Sequence, residues 1–286
     1  MNASEYIIAK QIEWAKNKGL ELVGSAGDRG RKAYTTNIAD NLFQPLNENS
    51  EQELDKGDGG ELKSKTGQPK ICALHSSSAL GINLFDYWRY SSDFSLLFSA
   101  CGLSRAGSHL TGEMQFEQKF SIDDRFQYSP NIDVVFTPSQ PYKYNAFAIE
   151  CKFTEAYSSR KHGGLDPKYF ANDAAWESLS AIRRLAQEIS PNDIPFEHLH
   201  AAQLIKHILG LNRKFGHSRY RLLYLWYDAL GGSGFRHRQE VEEFSKIALS
   251  DGVLFHSITY QELIVRLAKY RGQHKEYIEY LIDRYL

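Results

Sequence analysis

The sequence predicts an α/β fold: a mixed central sheet flanked by helices on both faces, with a helical arm at the N-terminus. Three observations carry this. Apolar periodicity changes from helical spacing to alternation between residues 112 and 153, then returns to helical spacing. The links between the alternating segments, around Asp123–Pro130 and Pro138–Tyr144, are short, which suits antiparallel neighbours. A further apolar run, RYRLLYLWYDA at 219–229, stands between helical stretches as a buried strand would. With 286 residues, 42% of them apolar and only 21 Gly and 8 Pro, the chain can bury the core this fold needs.

The elements follow in order. Residues 3–18 read as an amphipathic helix, with Ile7, Ile8, Ile12 and Ala15 at helical spacing and Ser4 as a cap. Residues 21–70 are polar. They hold GSAGDRGRK and, between Asp40 and Glu61, seven acids against one Lys. They read either as a long solvated loop or as a clamp over a ligand. The expected organisation is therefore an arm at 1–70, helix plus polar loop, and a core at 71–286. Residues 75–92 predict a helix capped by Ser76 to Ser78, with Leu80, Leu84, Tyr87 and Trp88 on one face. Residues 94–100 add a turn that Gly102 ends. Strands are expected at about 113–121, 131–137 and 144–153, then helices at 172–189 and 196–214, separated by Pro191 and Pro195. The strand at 219–229, a helix at 236–250, the strand LFHSITY and two short helices complete the chain.

Composition removes several function classes. Lys plus Arg is 34 and Asp plus Glu is 35, so a globally basic nucleic-acid coat is disfavoured. Three scattered cysteines, with no CxxC pair, argue against a disulfide framework or a Cys-based zinc site. The N-terminal residues have neither the form of a signal peptide nor that of an anchor, and no apolar run reaches membrane-span length. A cytoplasmic protein without membrane association is expected. There is no H-E-x-x-H or Walker A motif, and GGSG at 231–234 leads into charged residues rather than a nucleophile elbow.

The informative segments are SPNIDVVF and AFAIECKFTE. Glu150 and Lys152 end an apolar strand and share one face, because strand side chains alternate. If the two strands are neighbours, Asp133 lies opposite Glu150. Paired carboxylates repel, and a divalent cation relieves that repulsion. A lysine beside them can orient water or stabilise charge on phosphate, so the set suits metal-assisted phosphodiester hydrolysis. A structural ion pair at a strand end is the competing reading. Two other E-x-K triplets exist. Glu61–Lys63 lies in the polar stretch and reads as a solvated pair. Glu117–Lys119 lies on the first strand and reads either as a charged outer row or as an ancillary carboxylate beside Asp133.

This arrangement resembles the PD-(D/E)XK nuclease superfamily. The runs HSSSALGINLF, FEQKF, SPNIDVVF, IECKFTE and AAQLIKHIL resemble, more narrowly, a bacterial group of restriction-endonuclease-like proteins, over roughly residues 70–230. The resemblance implies a restriction-endonuclease-like fold and Mg²⁺-dependent cleavage of DNA, with Mn²⁺ as a substitute cation. It implies that Asp133 and Glu150 bind the metal, that the Cys151 carbonyl adds a ligand, and that Lys152 helps activate water. Ile132 stands where the motif's Pro would. Gln203 matches a Gln that some superfamily members carry on the following helix, though it also reads as an ordinary polar helix residue. Ser77, Asn83 and Lys206 are candidate nucleic-acid contacts, with capping the alternative for the serine. By analogy, a homodimer and a cognate methyltransferase or other defence-system partner are expected. Two alternatives stay open: a catalytically inactive nucleic-acid- or partner-binding module on the same fold, and a hydrolase of small nucleotides.

Overall fold

The structure is a computed structural model describing residues 2–57, 60–159 and 161–286. Asp58, one of the seven acids of the polar stretch, lies outside the described residues.

Helix α1 (Ala3–Asn17) starts at Asn2 rather than Ser4. Asn2 and Glu5 form a reciprocal capping box, the Glu5 N–H donating to Asn2 Oδ1 at 2.8 Å and the Asn2 N–H to Glu5 Oε2 at 2.9 Å. The stretch expected as a long polar loop is structured. It holds a short hairpin, β1 (Leu22–Val23) and β2 (Tyr34–Thr35), and the helix α2 (Glu48–Lys56). The signals were local but short. Asn47 caps α2, acids fill its first turn, Lys56 its last, and Leu54 buries its apolar face, worth about 2 kcal/mol.

The predicted helix at 75–92 is broken into α3 (Ser77–Phe85) and α4 (Tyr87–Ser91); α5 (Phe94–Ala100) follows. The central sheet comprises β3 (Gly112–Lys119), β4 (Asn131–Pro138), β5 (Ala146–Lys152), β6 (Tyr220–Trp226) and β7 (Phe255–Thr259), in that spatial order. The first three strands pair antiparallel, as their short links require, and the last two add in parallel. The β5–β6 crossover carries α6 (Ser180–Glu188) and α7 (Ala201–Phe215), and α8 (Gly231–Ser250) joins β6 to β7. Helices α9 (Tyr260–Leu267) and α10 (Lys275–Tyr285) end the chain.

Two of the predicted helices start late. Residues 173–176 form a 3-10 turn and Ser178 takes a positive φ of 64°, so α6 starts only at Ser180. The buried Glu240 carboxylate accepts the N–H groups of Glu197, His198 and Leu199, which holds that segment out of α7. Helix α8 instead starts earlier than predicted, at Gly231.

Each face of the sheet has its own apolar layer. One unites Val134, Phe136, Phe147, Ile149 and Cys151 with Ile7, Leu54, α3, α5, α9 and α10. The other unites Ile132, Val135, Ala148, Leu222 and Tyr224 with α6, α7 and α8. Alternation along β5 sends consecutive residues into opposite layers. No helix is long and apolar enough to cross a membrane among the described residues.

The second layer encloses His237. Its Nε2 lies 2.9 Å from the Tyr224 hydroxyl and its ring packs on Trp226. Burial, with His198 and His162 nearby, lowers its pKa to about 3. The folded imidazole then stays neutral while the unfolded one protonates below about 6.5. Stability present above pH 6.5 is therefore lost as pH falls toward 3, by at most about 1.4 kcal/mol per pH unit from this group. Urea unfolding at pH 7 and pH 5 should show the loss, and a His237→Gln variant should lose less over the same interval. An equal loss in both proteins would refute this source.

Candidate active site

The site is built on three adjacent strands. On β4 and β5 the last paired residues are Val134 and Ile149; one step further the register sets Asp133 level with Glu150. On β3 the pairs Phe116–Val134 and Gln118–Ile132 flank Glu117, which is level with Asp133 on its other side. Glu117, Asp133 and Glu150 thus form one row across the sheet. Glu117 takes a positive φ of 54°, which interrupts the ladder. Its carboxylate accepts from Asn131 Nδ2 at 3.1 Å. Gly57 packs so close that an added Cβ would come within 3.1 Å of the Glu117 side chain.

Asp133 has left the ladder to bond the next strand: the Cys151 N–H donates to its Oδ2 at 2.7 Å. Glu150 is fully buried and both its oxygens are held. Lys152 Nζ donates to Oε1 at 2.6 Å, and His207 Nε2, on α7, lies 2.9 Å from Oε2. These contacts separate the two carboxyl groups. Burial, then the Glu150 charge, pushes the Asp133 carboxyl well above its ordinary range, and the Cys151 N–H and Lys152 only partly oppose this. Burial would also raise Glu150, but Lys152 and His207 outweigh it and hold Glu150 below the usual carboxylate range. Lys152 in turn is kept charged. Burial acts to lower its pKa, and Glu150, Asp133 and Glu155 together raise it.

Ser77 and Ser78, in the first turn of α3, line a narrow pocket with Gly81, Glu117, Asp133 and Cys151. Ser77 is therefore beside the row. Glu61, expected to be solvated, is not: it hydrogen-bonds the Ser78 side chain, faces Glu155 and is raised chiefly by burial. No local pattern distinguishes it from the other acids of its stretch.

Other expected residues lie elsewhere. Asn83 is buried, and its amide is spent on the Phe43 N–H, the Asn41 carbonyl and the Tyr285 hydroxyl, so it has no free group for a nucleic acid. Gln203 makes no side-chain hydrogen bond to the row among the described residues. The α7 residue that reaches Glu150 is His207, one turn later, at the next position on the same face. Lys206 is half-buried with its ammonium over the Tyr169 ring. Cys151 sends its thiol into the apolar layer beside Gly81.

Removing His207 would leave Glu150 Oε2 buried without a partner, at a cost of about 1–3 kcal/mol. His207→Ala is expected to lower both the unfolding midpoint and any metal-dependent activity, and His207→Gln, which can still donate, to restore part of each. Equal loss in both variants would deny His207 the role of positioning Glu150.

A mixed five-stranded sheet with its acidic row and lysine at the junction of antiparallel and parallel strands is the architecture of a restriction-endonuclease-like protein. The chain belongs to the family described as "Restriction Endonuclease associating with ARP", whose model matches residues 6–286. No curated protein and no solved structure matches it.

Proposed function

We propose that this protein is a divalent-metal-dependent endonuclease that hydrolyses DNA phosphodiester bonds. The observation carrying the reading is the row Glu117, Asp133 and Glu150 with Lys152 bonded to Glu150. The donor set fits Mg²⁺, or Mn²⁺ in its place. Mg²⁺ takes oxygen ligands, usually only one or two carboxylates, and keeps several waters. Asp133 and Glu150 supply that pair, with the Cys151 carbonyl as a further ligand. Among the described residues no group of three His, Cys, Asp or Glu side chains forms a ready cage, so the remaining positions would fall to water and phosphate. The bound cation would supply Lewis-acid stabilisation of the phosphate and a more acidic water.

The chain's own residues do the rest. The Cys151 N–H orients Asp133; His207 and Lys152 orient Glu150. Lys152 stays protonated, so it positions the attacking water and stabilises charge on the phosphate rather than accepting the proton. Glu117 is an ancillary acceptor at the edge of the row. Ser77 would contact the substrate backbone. The description of the family supports an assembly with ARP. A catalytically inactive binding module is the second reading, favoured by one observation: both Glu150 oxygens are already engaged. Cleavage of plasmid DNA with Mg²⁺, Mn²⁺ or chelator, in wild type and in Lys152 and Asp133 variants, separates the two.

A further inference from the structure

The clamp considered for the polar stretch has a physical basis next to the row. The hairpin loop between β1 and β2 closes through backbone bridges Gly24–Gly27 and Ala26–Arg29, with Gly27 and Gly30 at positive φ. Residues 61–70 lie against it, the Gln68 N–H donating to the Ser25 carbonyl at 3.0 Å. Together, residues 24–32 and 61–70 carry Arg29, Arg31, Lys32, Lys63, Lys65 and Lys70 against Asp28 and Glu61. Lys63 pairs with Asp55 and Lys70 with Glu61. Arg29, Arg31, Lys32 and Lys65 are exposed, and among the described residues none has a carboxylate at ion-pair distance.

The lobe is seated beside the site. The Leu74 N–H donates to the Ala33 carbonyl, the Tyr34 ring meets His75 edge-on, and the His75 carbonyl accepts from Thr154, two residues after Lys152. Glu61 reaches Ser78 in the first turn of α3. A chain with a net charge of −1 thus gathers four exposed cations, without a carboxylate partner among the described residues, on a lobe seated against His75 and the first turn of α3. Repulsive carboxylates would not draw a polyanion, whereas this lobe would.

We propose that the lobe of residues 24–32 and 61–70 grips the DNA phosphate backbone beside the bond to be cleaved. This rests on the endonuclease reading and names the surface that holds its substrate. The test is binding of a labelled DNA duplex across a salt series, in an Asp133→Asn background so that the duplex stays whole. Arg29→Glu, Arg31→Glu and Lys32→Glu combined should weaken binding at least about tenfold and reduce the log–log salt slope by roughly 2–3, at about 0.9 per phosphate contact. The corresponding triple alanine variant should move both in the same direction by less, with an unchanged unfolding midpoint. Lys214→Glu, at the far end of α7, should leave the slope nearly unchanged. A triple reversal that binds like its parent overturns the proposal while leaving cleavage by wild type intact. A wild-type protein that neither binds nor cuts duplex DNA with any divalent metal overturns the endonuclease reading and this inference with it.

Discussion

Lys152→Ala is expected to reduce metal-dependent DNA cleavage by at least about a hundredfold, the scale of losing one preorganised group that stabilises transition-state charge. The effect is electrostatic. The ammonium sits 2.6 Å from Glu150 and is kept charged by Glu150, Asp133 and Glu155 despite its burial. Among the described residues no second lysine or arginine lies at ion-pair distance from Glu150. Asp133→Asn should give a loss of similar size for a different reason: the amide oxygen can still accept the Cys151 N–H, so the strand contact survives while the charge that would bind the cation is gone. Circular dichroism and unfolding midpoints close to wild type would tie both losses to chemistry. Cleavage that persists in both variants would place the reaction elsewhere.

The second large effect concerns stability. Arg284→Met is expected to destabilise the fold by about 3–5 kcal/mol in urea titrations, with the slope unchanged. Arg284 is buried without a carboxylate at ion-pair distance among the described residues. Its guanidinium donates instead to Gln11 Oε1, the Asn41 carbonyl and side chain, and the Tyr280 hydroxyl, and lies 4.3 Å from the centre of the Trp14 ring. Gln11 Nε2 returns a bond to the Arg284 carbonyl at 3.0 Å. Methionine fills the space but strands these buried acceptors, each at a cost of about 1–3 kcal/mol. Lysine keeps the charge without the planar fork and should rescue little. A loss below about 1 kcal/mol would mean that water or rearrangement satisfies the cluster. The consequence reaches the site, because Arg284 and Gln11 join α10 to α1, which share the apolar layer with α3.

The strands were legible because alternation is a property of consecutive residues. The segments AFAIECK and NIDVVF read as strands from their pattern alone, and alternation by itself places Glu150 and Lys152 on one face. The boundaries that went astray depended on distant partners: Glu240 holding residues 197–199 out of α7, and Leu54 anchoring a helix within a polar stretch. Gln203 lies on the helix that reaches Glu150, and the residue that makes the contact is His207, one turn later. Periodicity shows which residues share a helix face but not how far the helix slides along the sheet.

Local pattern thus specifies the α/β class, the antiparallel run of β3 to β5 and the placement of a carboxylate and a lysine on one face at a strand end. Long-range packing sets the rest: Glu117 joins the row, His207 closes on Glu150, Glu61 is drawn to Ser78, and Arg284 is buried with no carboxylate at ion-pair distance among the described residues. The physical reason is separation along the chain. A side chain's face follows from its immediate neighbours, whereas its partner 57 residues away on α7, or 273 away between Gln11 and Arg284, is set by how whole helices pack against the sheet.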